Sequence, residues 1–238
     1  MFLERIVNYF NPKRDFSAWI RWLEFNKKYV RDKRNDFVLD AGCGGGVGSA
    51  LRQYTFCRRV GCDIDKRFAN KKYLDYWVAC SVEAMCFKAE TFQSVSCNWV
   101  LEHIKNPART MEEIFKVLVR GGYFILRTPN LYNYAILFAS ITSTRFHHWI
   151  RRKNATPGQE HVENAPTLYR INTLRRVEKF LTTSGFKIVD IHYEGGASEY
   201  LTFFTPFFIL GKLGDLITNL FFLRWLKKDI VCVAQKIG

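Results

Sequence analysis

A chain of 238 residues, 48% of them hydrophobic, has the length of one domain and enough apolar side chains for a substantial core. Its 36 lysines and arginines against 22 acids leave a net charge of +14, which points to anionic partners such as a phosphorylated substrate, nucleic acid or acidic lipid and says nothing about fold. Seven cysteines with no Cys-x-x-Cys pair argue against a zinc site and suit a reducing compartment, and no apolar run reaches the eighteen or so residues of a spanning helix.

Met1, Phe2 and Leu3 open the chain, but Glu4, Arg5 and Asn8 interrupt any apolar stretch, so no signal peptide is expected and the cytoplasm is the expected location. Phe16, Trp19, Ile20, Leu23 and Val30 recur at helical spacing, and Trp22, Phe25 and Tyr29 make a second stripe, so the N-terminal helix is expected to pack on two surfaces. Short β-rich runs then alternate with helical stretches, the pattern of a parallel sheet flanked by helices. Seven strands are expected, over 37–41, 59–64, 77–81, 94–100, 123–128, 187–193 and 230–235. Between the fourth and fifth, Pro107 after Asn106 starts a helix that carries Met111, Ile114, Phe115 and Leu118 on one face, and Gly121-Gly122 is expected to end it. Thr173 is expected to cap a helix through Leu174, Val177 and Leu181 that stops at Gly185.

Residues 130–172 and 195–228 do not fit the repeating unit and are expected to face a substrate or a membrane, since specificity tends to sit on loops beyond the carboxyl ends of parallel strands. The stretch from Tyr200 to Leu226 is rich in Phe and Trp, and Arg224, Lys227 and Lys228 beside it would suit an anionic membrane surface. Packing beneath the sheet or a dimer contact would use the same aromatics.

The densest signal is Phe37-Val38-Leu39-Asp40-Ala41-Gly42-Cys43-Gly44-Gly45-Gly46, an apolar strand running into a glycine-rich turn and then an expected helix. The turn is not a dinucleotide fingerprint, because Val47 or Ser49 fills the last glycine slot, and no Gly-Lys-Ser or Gly-Lys-Thr occurs. Instead it resembles the first motif of class I S-adenosylmethionine-dependent methyltransferases, Asp-x-Gly-x-Gly-x-Gly. Val60 to Asp65 is similar to that family's second strand with its acidic tip, and Ser81 to Phe87 to the segment after the third. Asn98-Trp99-Val100-Leu101-Glu102-His103-Ile104 resembles its Val-Leu-Glu-His element, and Gly121 to Asn130 its fifth strand. The resemblance covers residues 36–130 and returns at 173–191.

That resemblance implies a Rossmann-like α/β fold: a seven-stranded, mostly parallel sheet with helices on both faces and the last strand antiparallel. It implies one methyltransferase domain over 1–238, with N-terminal helices in 1–35, a cofactor-binding half in 36–130 and the two insertions. S-adenosyl-L-methionine is the implied cofactor, held by Asp40, Gly42, Cys43, Gly44, Gly46, Asp63, Ile64, Val82, Glu83 and Asn98. Asp63 would accept hydrogen bonds from the ribose hydroxyls, and because Ser81 stands where the family has aspartate, the adenine contact would fall to the backbone at Val82. The expected acceptor is a small or lipid-linked hydroxyl, with His161, His103 or Glu160 as the base that takes its proton and the inner membrane face as a possible docking place. An RNA acceptor is the alternative that the basic charge suggests, and a non-catalytic partner that keeps the fold is a second.

Overall fold

The computed structural model describes residues 17–44, 49–69, 71–141, 166–201 and 205–237. The chain divides into two compact units. The larger comprises Trp19–Pro129, Ala165–His192 and Ile230–Gly238, and the other Met1–Ala18, Asn130–Asn164 and Tyr193–Asp229.

One sheet of seven strands dominates: β1 (Phe37–Ala41), β2 (Arg58–Asp63), β3 (Tyr76–Ala79), β4 (Phe92–Asn98), β5 (Leu118–Pro129), β6 (Phe186–Glu194) and β7 (Asp229–Lys236). Their spatial order is β3-β2-β1-β4-β5-β7-β6, with every pairing from β3 to β5 parallel and the antiparallel character confined to the last strands. This is the expected Rossmann-like sheet. Val38, Leu39, Val95 and Cys97 on the central strands are all fully buried, because a parallel sheet is covered on both faces. The chain runs outward from β1 to β3 and then returns across β1 to β4. That reversal opens a crevice at the carboxyl ends of β1 and β4, where ligands bind in open α/β sheets.

Helix α1 (Ser17–Tyr29) precedes β1 and lays Trp22 and Phe25 into a core shared with Val38, Leu51, Tyr54, Ile125, Val231 and Val233. Of the two expected stripes, the Trp22 stripe is the buried one. Trp19 and Leu23 lie at its edge, and Ile20 is exposed. Asn26 is fully buried on the same face, donating to Trp22 O and accepting from the Ser96 hydroxyl of β4.

Helix α2 (Pro107–Val117) begins as the sequence predicts, with Pro107 in its first turn and the Asn106 side chain accepting from Arg109 N–H at 3.2 Å. Its Met111, Ile114 and Val117 are fully buried, at about 1.5–3 kcal/mol for each large side chain. The helix does not end at Gly121-Gly122. It ends at Val117 and passes directly into β5, so the glycine pair lies inside a strand. The register between β4 and β5 slips there, between Phe92 and Ser94, and Gly121 has φ +73°. Any Cβ on Gly122 would come within 3.1 Å of Gln93 O, so the pair marks a bulge, not a helix stop. Helix α4 (Leu174–Thr183) follows expectation, capped by the Thr173 hydroxyl and stopped by Gly185 at φ +90°.

The other unit holds α3 (Tyr134–Ile141), a 3-10 turn at Ser198–Leu201, α5 (Thr205–Thr218) and a second 3-10 turn at Phe221–Leu226. Asn130 and Asn133 bind it together: the Asn130 side chain donates to Trp225 O and Lys227 O, and Asn133 to Leu226 O. Among the described residues, no helix is long and apolar enough to cross a membrane.

Candidate active site at the tips of the central strands

Strand β1 ends in Asp40-Ala41, and the chain turns back at once. Gly42 and Cys43 both donate their backbone N–H to Cys62 O of β2, at 2.9 and 3.0 Å. Gly44 N–H donates to Asp63 Oδ2 at 2.8 Å, and Asp65 N–H to Asp63 Oδ1 at 2.9 Å. The three described amides of the loop are therefore spent inside the protein, holding the loop onto the tip of β2. Gly42 has φ +73° and Gly44 φ +43°, the left-handed region where a side chain is strained. At Gly42 space is lacking too, since an added Cβ would stand 2.4 Å from Val100 Cγ2, just past the end of β4. This close approach across β1 and β4 closes the floor of the crevice.

Two carboxylates face this loop. Asp63 is half-buried, and each of its oxygens takes one backbone N–H, which fixes its orientation and leaves each a second lone pair for an outside donor. Asp40 is buried, and its Oδ2 meets no partner among the described residues. Burial raises its carboxyl to about 6, the Ser49 side chain opposes this by hydrogen bonding, and the charge of Asp63 adds to the rise. In a chain with a net charge of +14, this notch is locally acidic.

The expected helix after the loop is absent from the described residues. A single 3-10 turn, Ala50–Gln53, stands in its place, capped by the Ser49 hydroxyl accepting from Leu51 N–H. Asp32 then fastens the next turn, accepting from the N–H groups of Thr55, Phe56 and Cys57 at 2.8–3.0 Å. With the chain pinned there and β2 starting at Arg58, no room remains for a helix to run on past Gln53.

The other expected contacts are mixed. Ile64 is 75% exposed at the tip of β2, and Val82 is buried in the short turn closed by the Ser81–Ala84 bridge. Glu83 points elsewhere: its carboxylate accepts Asn106 N–H at the start of α2. Asn98 ends β4 beside Trp99, which adopts a left-handed φ of +57°. Sequence reasoning missed Trp99. Its indole Nε1–H is buried and finds no acceptor among the described residues, and the Arg127 guanidinium lies 5.6 Å from its ring centre. Only the break from an apolar strand into Asn-Trp at a strand tip could have signalled it.

His103 is held by Pro166 O, 3.1 Å from its Nδ1, while its Nε2 stands 3.8 Å from Glu102 Oε1. A bond to a carbonyl requires Nδ1–H, which makes Nε2 the acceptor atom of the neutral ring. Glu102 O accepts from Leu168 and Tyr169 N–H, so the Leu101-Glu102-His103 element anchors the chain at 166–169. Gly46, Glu160 and His161 lie outside the described residues.

Residues 39–126 match a family described as a methyltransferase domain. A ubiquinone biosynthesis O-methyltransferase of Aromatoleum aromaticum is 31% identical over 111 residues, covering 43% of this chain and 47% of that protein. An uncharacterised protein of Methanocaldococcus jannaschii is 28% identical over 174 residues, 70% of this chain and 66% of the relative. The chain thus spans about half the length of the ubiquinone-pathway relatives it matches. Among solved structures, geranyl diphosphate C-methyltransferase of Streptomyces coelicolor, with S-adenosyl-L-homocysteine bound, superposes with a TM-score of 0.56 at 13% identity, covering 90% of this chain and 76% of that one. The YcgJ protein of Bacillus subtilis gives 0.54 at 14% identity, over 93% and 98%.

The site suits the cofactor of that family. A buried acceptor at Asp40 and the oriented carboxylate of Asp63 match a ligand that carries cationic sulfur, an ammonium group and ribose hydroxyls. The matched segment runs from β1 to β5 and the strand order turns at β1 and β4, so residues 39–126 carry a methyltransferase domain on the sheet that the class I S-adenosylmethionine-dependent enzymes share.

Proposed function

We propose that this chain transfers a methyl group from S-adenosyl-L-methionine to a hydroxyl of a small or lipid-linked acceptor. The observation that carries the proposal is the Asp63 carboxylate, fixed by Gly44 and Asp65 N–H at a strand tip beside the tight Gly42 turn. When bound, the donor's sulfonium supplies the methyl for an in-line displacement, which leaves the protein mainly the work of alignment and water exclusion. Asp63 would hold the ribose and Asp40 the cationic end, with Ile64 and Val82 beside the adenine. The relatives named as ubiquinone O-methyltransferases support oxygen as the acceptor atom and an apolar acceptor.

An acceptor hydroxyl must lose a proton, and His103 Nε2 is the described atom with the right tautomer to take it. His161 and Glu160 are the other candidates. His103→Gln and His161→Ala separate them: the base is the position whose loss cuts turnover at least tenfold while donor affinity stays constant.

The deciding experiment incubates labelled donor with the full chain and fractionated extract, then separates organic-soluble, aqueous and RNA fractions. Label is expected in the organic-soluble or small-molecule fraction. Asp63→Asn is expected to weaken donor binding at least tenfold by calorimetry, about 1.4 kcal/mol. Label in RNA would replace the acceptor class, and a wild-type chain that binds no donor would overturn the proposal.

A further inference from the structure

Helix α5 is inside out. Its buried positions are Phe208, Gly211, Asp215 and Thr218, a stripe at helical spacing made largely of small and polar residues. The opposite face carries Ile209, Leu210, Leu213, Leu216 and Ile217, between 42% and 61% exposed. A helix that packs on a protein core shows the reverse order, with the aliphatic stripe inward.

The inward face is built for this arrangement. Asp215 accepts from the N–H groups of Ala197 and Ser198 and from the Tyr134 hydroxyl. Cβ atoms added at Gly211 would come within 3.0 Å of Ser198 Cα, so the small residue lets the helix approach. Turning α5 over to hide its aliphatic face would leave those polar groups unpaired, which prevents the helix from relieving the exposure by itself.

The exposed surface continues past the helix. Leu220, Phe221, Phe222 and Trp225, which follow α5 after Asn219, are 49%, 85%, 70% and 45% exposed. Isolated exposed apolar residues are ordinary, but nine on one helix face and the turn after it form a contiguous candidate for an apolar surrounding. Cations border them: Arg224, in the final turn, lies 5.8 Å from the ring centre of the exposed Phe221, and the half-buried Lys212 stands on α5 itself. Long cationic side chains on aromatic rings at the edge of an apolar face suit a headgroup layer, where the ring enters the acyl boundary and the charge meets phosphate.

We infer that the outward face of α5 and the turn Phe221–Leu226 seat this protein on the surface of an anionic lipid bilayer. The complementarity of Lys212, Arg224 and the overall charge of +14 favours that occupant over a second copy of the chain, which would bring like charges together. The inference needs neither the methyl donor nor a particular acceptor, so it stands or falls separately from the proposed reaction.

The test is flotation of the full chain with vesicles of phosphatidylcholine alone and of phosphatidylcholine mixed with phosphatidylglycerol. The wild type should float with the anionic vesicles and at least tenfold less with the neutral ones. The triple change Leu213→Gln, Phe221→Ser, Phe222→Ser alters exposed side chains only. It should cut flotation at least tenfold with circular dichroism and donor affinity unchanged. Arg224→Glu should weaken binding to the anionic vesicles alone. Quenching by bromine-labelled acyl chains gives an independent reading, since Trp225→Phe should remove part of the quenching seen in the wild type. A wild-type chain that stays unbound with anionic vesicles overturns the inference. So does a dimer in sedimentation that the triple change dissociates while vesicles bind neither form.

Discussion

Asp40 shows how one residue couples the fold to the chemistry. A carboxylic acid placed at the end of a central strand, where it is 3% exposed, keeps its proton until about pH 6, because burial disfavours the charged form more than the Ser49 hydrogen bond favours it. A group whose folded value lies above its unfolded one gives its full stability below the unfolded value and loses it as the pH rises through the folded value. For a rise from 3.8 to about 6, ionised Asp40 costs the donor-free protein about 3 kcal/mol at neutral pH. Asp40→Asn has no such titration. In urea denaturation without ligand, its stability advantage over the wild type should widen by roughly 1 kcal/mol between pH 5 and 7.5 and then level off. Saturating S-adenosylmethionine should narrow the gap, because a cationic ligand stabilises the ionised carboxyl. A gap that is the same at every pH would show that Asp40 does not titrate in this range.

Elements were legible in the sequence where their own residues decide them. All seven strands form where apolar β-rich runs stand, and the Asn106-Pro107 and Thr173 starts act as caps because those side chains serve their own helices. Misreadings arose where a distant residue decides. The 3-10 turn after the glycine loop does not run on past Gln53 because Asp32, more than twenty residues upstream, takes the backbone N–H groups of Thr55, Phe56 and Cys57 just beyond it. Gly121-Gly122 looked like a helix stop and is a bulge because β4 passes beside it. The polar inward stripe of α5 was hidden for the same reason, since Asp215 reads as a surface acid until Ala197, Ser198 and Tyr134 are brought to it. That element carries its own prediction. Asp215→Ala leaves the buried N–H groups of Ala197 and Ser198 without their acceptor, and should cost about 3 kcal/mol in urea denaturation. Asp215→Asn, which keeps one acceptor oxygen, should cost about half as much. Equal stability of Asp215→Ala and wild type would mean that α5 is not held by its inner face.

At the scale of the whole chain, the cysteines report on both the core and the crevice. All seven are free; Cys43, Cys57, Cys62, Cys97 and Cys232 are buried, Cys80 is half-buried and Cys86 exposed. Burial pushes the Cys43 and Cys57 thiols up to about 12, so they are neither reachable nor ionised at neutral pH. Cys80 behaves differently: a hydrogen bond from the Cys62 thiol lowers it against the opposing effect of burial, and thiolate is the reactive form. Cys86 is accessible, but burial and Cys80 raise it. A disulfide reagent at pH 7 should therefore modify Cys80 first, Cys86 more slowly, and the other five at the rate of unfolding. Cys80→Ser should abolish the fast phase alone. Cys80 N–H donates to Asp63 O at 3.1 Å, which places the fast thiol next to the residue expected to hold the ribose. Saturating S-adenosylhomocysteine should then slow Cys80 at least tenfold and leave Cys86 unchanged. Slowing of both together would point to general stiffening, and slowing of neither would place the ligand away from the tips of β2 and β3.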